Sequence, residues 1–369
     1  MAVVASESVV EALRRAGEER TPVRFKGGGT KLGWAANRGE PGIEVSTAEL
    51  DGILEHNAGD LTAVLEAGVP LARAQAAFAE AGQMLALDPP DDGATIGGIV
   101  AAGDSGPLRS RYGGVRDLVV GVRVALSDGT VASAGGKVIK NVAGYDLAKL
   151  FAGSLGTLGA ILEVSVRLHP LPPATTTAVG GSRDPAVIAR AARDVSHAPL
   201  EYLGLDVRWG GGDGAVFARF GGAASRQPAE DAAGIIAKAG LEAQVVDDDE
   251  SIWRVQRESQ RSPDWAIVRV SATQTDLPGL FAAVQKLGAR LVGRAALGLS
   301  WVVLPDRSPE EADAAIETLR RDYSAVVLDS PPGLTADHWG GLDPGARELM
   351  RRVRERFDPA GVCNPGAAP

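Results

Sequence analysis

The chain has 369 residues, with 38 basic against 47 acidic side chains for a formal charge of −9, 47 glycines and a single cysteine, Cys363. One thiol excludes an intrachain disulfide, a multi-cysteine zinc site and an iron–sulfur cluster held by the chain's own thiolates. The acidic balance, without a dense Lys/Arg patch, argues against nucleic acid as a partner. His56, His169, His197 and His338 show no metal-ligand spacing, so no metal is expected and any redox chemistry would ride on an organic cofactor. No apolar run is long enough to span a bilayer and no signal core opens the chain, so a cytoplasmic protein is expected, with any membrane association arising through partners.

In chain order, residues 6–17 place Val9, Val10 and Leu13 on one helical face. Pro22–Lys26 reads as a short strand running into three glycines. Strands are predicted at Gly42–Ser46 and Thr62–Glu66, with helices over Ala48–Glu55 and Leu71–Ala81. Asp88–Gly114 is a long stretch rich in Pro, Gly, Asp and Ser, of a kind that in compact domains is functional or disordered. Its apolar, small-residue part Thr95–Ala102 favours an ordered segment. Val122–Leu126 and Thr130–Ser133 flank Asp128-Gly129, a hairpin turn signal. A short helix over Tyr145–Phe151 and an alternating strand over Ala160–Leu168 follow.

Pro170–Pro173 marks a boundary, followed by the polar Thr175–Thr177. Helices are predicted at Pro185–Val195, Gln227–Ala239, Leu277–Leu287 and Pro309–Arg321. Strands are predicted at Tyr202–Arg208, Ala215–Phe220, Ala266–Ser271, Leu297–Leu304 and Ala325–Leu328. That order fits an antiparallel sheet with helices on one face. A basic helix, Pro344–Phe357, and a terminal loop close the chain. The expected division is residues 1–172, 173–340, and a tail 341–369 returning toward the first domain.

Three segments have the texture of a ligand cradle. Gly27-Gly28-Gly29-Thr30-Lys31 follows a strand directly; glycines leave no Cβ in the way and successive N–H groups can converge on an anion, with Lys31 adding charge. A flexible turn is the plainer alternative, and the sequence is not a P-loop. Gly93–Gly106, containing Thr95, Ile96, Gly97, Gly98, Ala101, Ser105 and Gly106, lets backbone approach a planar or extended ligand; Arg111 beyond it can face a phosphate or carboxylate. Packing of helix on sheet would use the same small residues. Asn141–Glu163, with Gly153, Gly156, Thr157 and Gly159, has a GxxGxxG spacing unlike a Rossmann fingerprint. Residues 27–159 hold 25 of the 47 glycines, so the excess is local. The three segments suit an elongated, phosphate-bearing cofactor.

The set KGGGTK (26–31), ATIGG with AAGDSGPLRSRYGG (94–114) and AGYDLAKLFAGSLGTLGAILEV (143–164), in this order and spacing, resembles the FAD-binding PCMH-type domain of the vanillyl-alcohol oxidase-like flavoproteins. The likeness covers roughly Thr21 to Pro172, and the closing Phe357–Gly366 resembles that family's terminal segment. VIKNVAGYDLAKL (138–150) and the short length are most similar to the FAD-binding E subunit of bacterial glycolate oxidase. The resemblance implies an α+β fold: a two-subdomain PCMH-type FAD-binding domain plus an α+β cap domain with an antiparallel sheet. It places Gly27, Gly28, Gly29, Thr30 and Lys31 around the FAD pyrophosphate. Thr95, Ile96, Gly97, Gly98, Ala101, Ser105 and Gly106 would line the ribityl chain and flavin, and Gly156, Thr157, Gly159 and Ile161 would approach through backbone. Tyr112 and Tyr145 are candidates near the isoalloxazine or packing residues.

Two departures narrow the function. No histidine precedes Gly52, so FAD is expected to be non-covalent. The H-x-G-D-x-N-x-H segment, which in related 2-hydroxy acid dehydrogenases would place a metal and a base over the flavin, is missing between Pro173 and Pro369. Arg208, Arg219, Arg254 and Arg269 are candidates for a substrate carboxylate, or solvated charges, and no catalytic base is assignable. The resemblance therefore implies an FAD-dependent oxidoreductase subunit that supports oxidation of glycolate to glyoxylate by flavin-mediated electron transfer. Its partners would be a larger FAD-binding subunit and an iron–sulfur subunit of a glycolate oxidase-like complex. The tail helix Arg347–Arg356 is a candidate docking face, or simply solvated. A self-sufficient FAD-dependent dehydrogenase of another hydroxy acid or alcohol, and a non-catalytic scaffold that has lost FAD, stand as alternatives.

Overall fold

The computed structural model describes residues 2–34, 41–136 and 146–368. It divides into two compact units, one of residues 1–105, 113–171 and 341–369, the other of 106–112 and 172–340.

In the first unit, helix Ala2–Glu19 buries Val9, Leu13 and Ala16, four and three residues apart, against Val23, Val45 and Leu162. Strands Val23–Lys26 and Ile43–Ser46 pair in parallel. The C-terminal tail joins them: Val23 N–H donates to Val362 O (2.8 Å) and Asn364 N–H to Val23 O (2.9 Å). A five-stranded antiparallel sheet runs in the order Ile53–Asn57, Thr62–Glu66, Ala160–Arg167, Val119–Ala125, Val131–Gly135. Its last hairpin turns at Asp128-Gly129, where the Asp128 carboxylate accepts Thr130 N–H (2.8 Å). The expected helix over 48–55 does not form; Leu50 N–H closes a turn onto Thr47 O and Ile53–Asn57 joins the sheet beside Thr62–Glu66. Sheet pairing here overrides the local helical spacing. Within the long 88–114 segment, Ile96–Ala102 and Arg109–Tyr112 are helical. The helix expected over Tyr145–Phe151 starts later, at Ala148, with Asp146 and Leu147 outside it; Tyr145 lies outside the described residues.

In the second unit, an eight-stranded antiparallel sheet runs Glu242–Val246, Thr175–Ser182, Asp213–Gly221, Gly204–Gly210, Arg290–Arg294, Leu299–Leu304, Ala266–Ser271, Ser324–Asp329. Helices Pro185–Ser196, Arg226–Lys238, Leu277–Lys286 and Pro309–Arg320 bury Ile188, Ile236, Phe281 and Ile316 with Leu205, Val207 and Trp209 on one sheet face. The helices are not confined to that face. Helix Glu250–Glu258 lies on the other, where Trp253 Nε1 donates to Thr177 Oγ1 (2.8 Å) and Gln256 Nε2 to Asp206 Oδ2 (3.1 Å). That helix and the strands Thr175–Ser182, Glu242–Val246 and Arg290–Arg294 are additions to the sequence reading. No helix among the described residues is long and apolar enough to cross a membrane.

Candidate cofactor-binding site

Strand Val23–Lys26 ends in Gly27-Gly28-Gly29, which borders an open cavity of about 750 Å³ lying wholly within the first unit. Seven of its twenty lining residues are glycine and four alanine, so backbone forms most of the wall. Close approach accounts for the composition. A Cβ on Gly28 would lie 2.0 Å from Gly93 O, and one on Gly97 2.6 Å from Ala67 Cβ. Thr95 caps helix Ile96–Ala102 through Oγ1, which accepts Gly98 N–H (3.4 Å), while Gly97 N–H donates to Ala67 O (2.7 Å). Among the described residues, the N–H groups of Gly27, Gly28 and Gly29 have no backbone acceptor. Donors of this kind at a tight turn form a concavity suited to an anion.

The third wall is residues 155–161. Leu155 adopts φ +53° and is held there from both sides: its N–H donates to Ala101 O (2.7 Å) and its carbonyl accepts from Asn364 Nδ2 (2.6 Å). Asn364 Oδ1 in turn accepts Phe25 N–H (3.1 Å). One amide from the chain's end thus ties the first strand to the 155–161 segment.

Of the predicted residues, Gly27, Gly28, Gly29, Thr30, Lys31, Thr95, Gly97, Gly98, Ala101, Gly156, Gly159 and Ile161 line the cavity. Ile96, Ser105 and Thr157 are buried in the first unit but outside the lining. Gly106 and Tyr112 belong to the second unit. Lys31 differs from the free cation that the sequence suggests. Its Nζ lies 3.2 Å from Asp91 Oδ2 and 3.1 Å from Asp104 Oδ2, so its charge is already matched and it clips the glycine loop to the 91–104 segment. Arg111 is likewise engaged, with Glu201 at 2.9 Å, and Arg219 is fixed by Asp249 at 2.7 and 3.1 Å. Sequence reasoning missed Phe25, Leu32, Thr47, Ala67, Ala102, Leu155, Ala160 and Asn364 in the lining. Ala102, Leu155, Ala160 and Asn364 lay inside segments already singled out, 94–114, 143–164 and 357–366, but Phe25, Leu32, Thr47 and Ala67 carried no signal.

The wall holds no Asp, Glu or His, and no cluster of three or more His, Cys, Asp or Glu suited to a metal occurs among the described residues. Its chemistry is that of a holder: bare N–H donors at one end, small apolar walls and threonine hydroxyls elsewhere. A long molecule with an anionic linker and a flat apolar ring fits this wall, as FAD requires.

Residues 2–135 match the family described as FAD binding domain. Glycolate oxidase subunit GlcE of Escherichia coli (strain K12) is 31% identical over 98% of this chain and 96% of its own length. D-lactate dehydrogenase of Archaeoglobus fulgidus is 38% identical over 45% of this chain, and glycolate oxidase subunit GlcD of Bacillus subtilis (strain 168) is 35% identical over 45%. The matches cover only 37% and 36% of those two proteins. Alkyldihydroxyacetonephosphate synthase shares the fold, with a TM-score of 0.74 over 97% of this chain and 74% of that one at 15% identity. The backbone-walled cavity and the end-to-end likeness agree: this chain is an FAD-binding oxidoreductase belonging to the family of glycolate oxidase subunit GlcE.

Proposed function

We propose that this chain is the FAD-binding subunit of a glycolate-oxidising complex, working beside a larger FAD-binding chain and an iron–sulfur chain. The observation that carries the reading is the likeness to GlcE, a protein named as a subunit, over nearly the whole of both chains. The base-free cavity supports it. Oxidising a 2-hydroxy acid needs a group to take the hydroxyl proton as hydride leaves the carbon, and the cavity lining offers neither carboxylate nor imidazole. An accessory subunit has no need of that base.

In this reading the N–H groups of Gly27, Gly28 and Gly29 bind the pyrophosphate, and Thr30 and Lys31 hold the loop in place. Thr95, Gly97, Gly98, Ala101, Gly156, Gly159 and Ile161 wall the rest of the cofactor through backbone and small side chains. Ile96, Ser105 and Thr157, buried in the same unit, belong to the same cofactor-binding set. FAD supplies two-electron acceptance and onward transfer when bound. The chain's contribution is to bind it without a covalent bond, orient it and keep water from its apolar face.

Co-purification from the native host tests the proposal. The two partner chains should be recovered with this one, and glycolate-dependent dye reduction should require them. Turnover of glycolate or lactate by the purified chain alone would instead establish a self-sufficient dehydrogenase.

A further inference from the structure

Taking the cavity of the first unit as the FAD site, we propose that residues 358–368 form a strap whose docking completes it, with Asn364 as the positioning residue. Strap and cofactor then share one equilibrium, and each is held better when the other is in place.

The strap joins two walls of the cavity. Cys363 bridges in parallel to Val23. The bonds from Val23 N–H to Val362 O and from Asn364 N–H to Val23 O lie on the strand edge that Ile43–Ser46 does not use. That strand, Val23–Lys26, runs directly into Gly27-Gly28-Gly29. Across the cavity, Asn364 Nδ2 holds the carbonyl of Leu155, which stands at φ +53°, a conformation that non-glycine residues seldom adopt. The neighbouring Gly156, at φ +74°, leaves room for this amide: a Cβ there would lie 2.6 Å from Asn364 Nδ2. With the strap away, Val23 N–H, Val23 O, Phe25 N–H and Leu155 O lose these partners. Phe25, Leu155 and Asn364 all line the cavity.

The strap is also able to move as a piece. The Asp358 carboxylate at its root accepts Gly361 N–H (3.1 Å) and Cys363 N–H (2.8 Å), so its turn is fixed from within. Val362, Cys363 and Ala367 are its buried apolar residues, each small or medium in size. Helix Pro344–Phe357, which leads into it, has no buried residue and meets the Phe151 ring edge-on through Phe357, 5.7 Å between centroids. The strap can therefore leave without dismantling a buried helix. A segment held by so few contacts opens at a lower cost than the unit as a whole. A cofactor that binds the docked form more tightly suppresses that opening by mass action, and by linkage the docked strap tightens the cofactor.

Cys363, the single thiol of the chain, is buried within the strap and reports its opening. The full-length chain, as apoprotein and with FAD added, is treated with a disulfide reagent while flavin absorbance records uptake. Cys363 should label about tenfold or more faster in the apoprotein, with protection returning over the same FAD concentrations that restore the flavin signal. Ala74→Cys in a Cys363→Ser background reports unfolding of the whole unit, since Ala74 is buried there outside the cavity lining. In the apoprotein it should label at least tenfold more slowly than Cys363. Asn364→Ala should shrink the effect of saturating FAD on Cys363 to a few fold; if that variant fails to fold, the other two rates decide. Equal labelling of the two thiols in the apoprotein, or undiminished protection in Asn364→Ala, would overturn the proposal. FAD uptake with an unchanged Cys363 rate would overturn the strap alone, whereas no uptake would overturn the FAD site with it.

Discussion

Gly28 sits so near Gly93 O that a methyl group cannot be added without moving the loop. Gly28→Ala is therefore expected to weaken FAD binding by about tenfold or more, read by titrating the apoprotein and following flavin fluorescence. Gly33→Ala is the control, since a Cβ there meets nothing within 4 Å, and its affinity should match the parent. Lys31→Met removes the cation between two carboxylates, one of which, Asp104, is only 4% exposed. Removing the cation that lies beside a buried carboxylate is destabilising, so a fall in Tm is expected even without cofactor. Cys363 is buried, and burial beside Asp358 pushes its thiol pKa far up. It should resist a disulfide reagent in the native protein and react once the chain is unfolded. At this scale the glycine triplet was legible because its composition serves only close backbone approach. Ala67 and Leu32 were not, since their place in the wall depends on which strands meet.

Elements whose pattern is settled locally were the ones read correctly. Ala266–Ser271 and Thr62–Glu66 alternate or run apolar between turn residues, and Pro309–Arg320 opens with a Ser308 capping box. Elements settled by neighbours were missed. Thr175–Thr177 reads only as polar residues after a boundary, yet these threonines bond inward to Asp249, Ser225 and Trp253 while strand Thr175–Ser182 is paired on both sides. Helix Glu250–Glu258 has few apolar residues and is held by Trp253 and Gln256 alone in the interior. The tail shows the same dependence on tertiary partners. Asn364→Ala would release both Phe25 N–H and Leu155 O. The expected loss is about 1–3 kcal/mol, visible as a lower denaturant midpoint together with weaker FAD retention, because both groups belong to residues that line the cavity.

For the whole molecule, chain order and structural unit do not coincide: residues 341–369 return to the first unit, and 106–112 group with the second. The concentration of glycine in residues 27–159 falls in segments contributing most of the cavity wall, whereas the second unit is built from ordinary core residues. Family membership and the fold of the cofactor domain were legible because three spaced motifs had to coincide. The substrate and partners were not, since they depend on surfaces that no motif in this chain records. The central claim is that the chain itself holds FAD, without a covalent bond. Its most direct measurement is the visible spectrum of the gently purified chain, followed by acid precipitation and assay of the supernatant. Flavin absorption bands and release of about one FAD per chain are predicted, as one backbone-walled cavity in the first unit would hold. A colourless protein that takes up no added FAD, or flavin that stays with the precipitate, would contradict it.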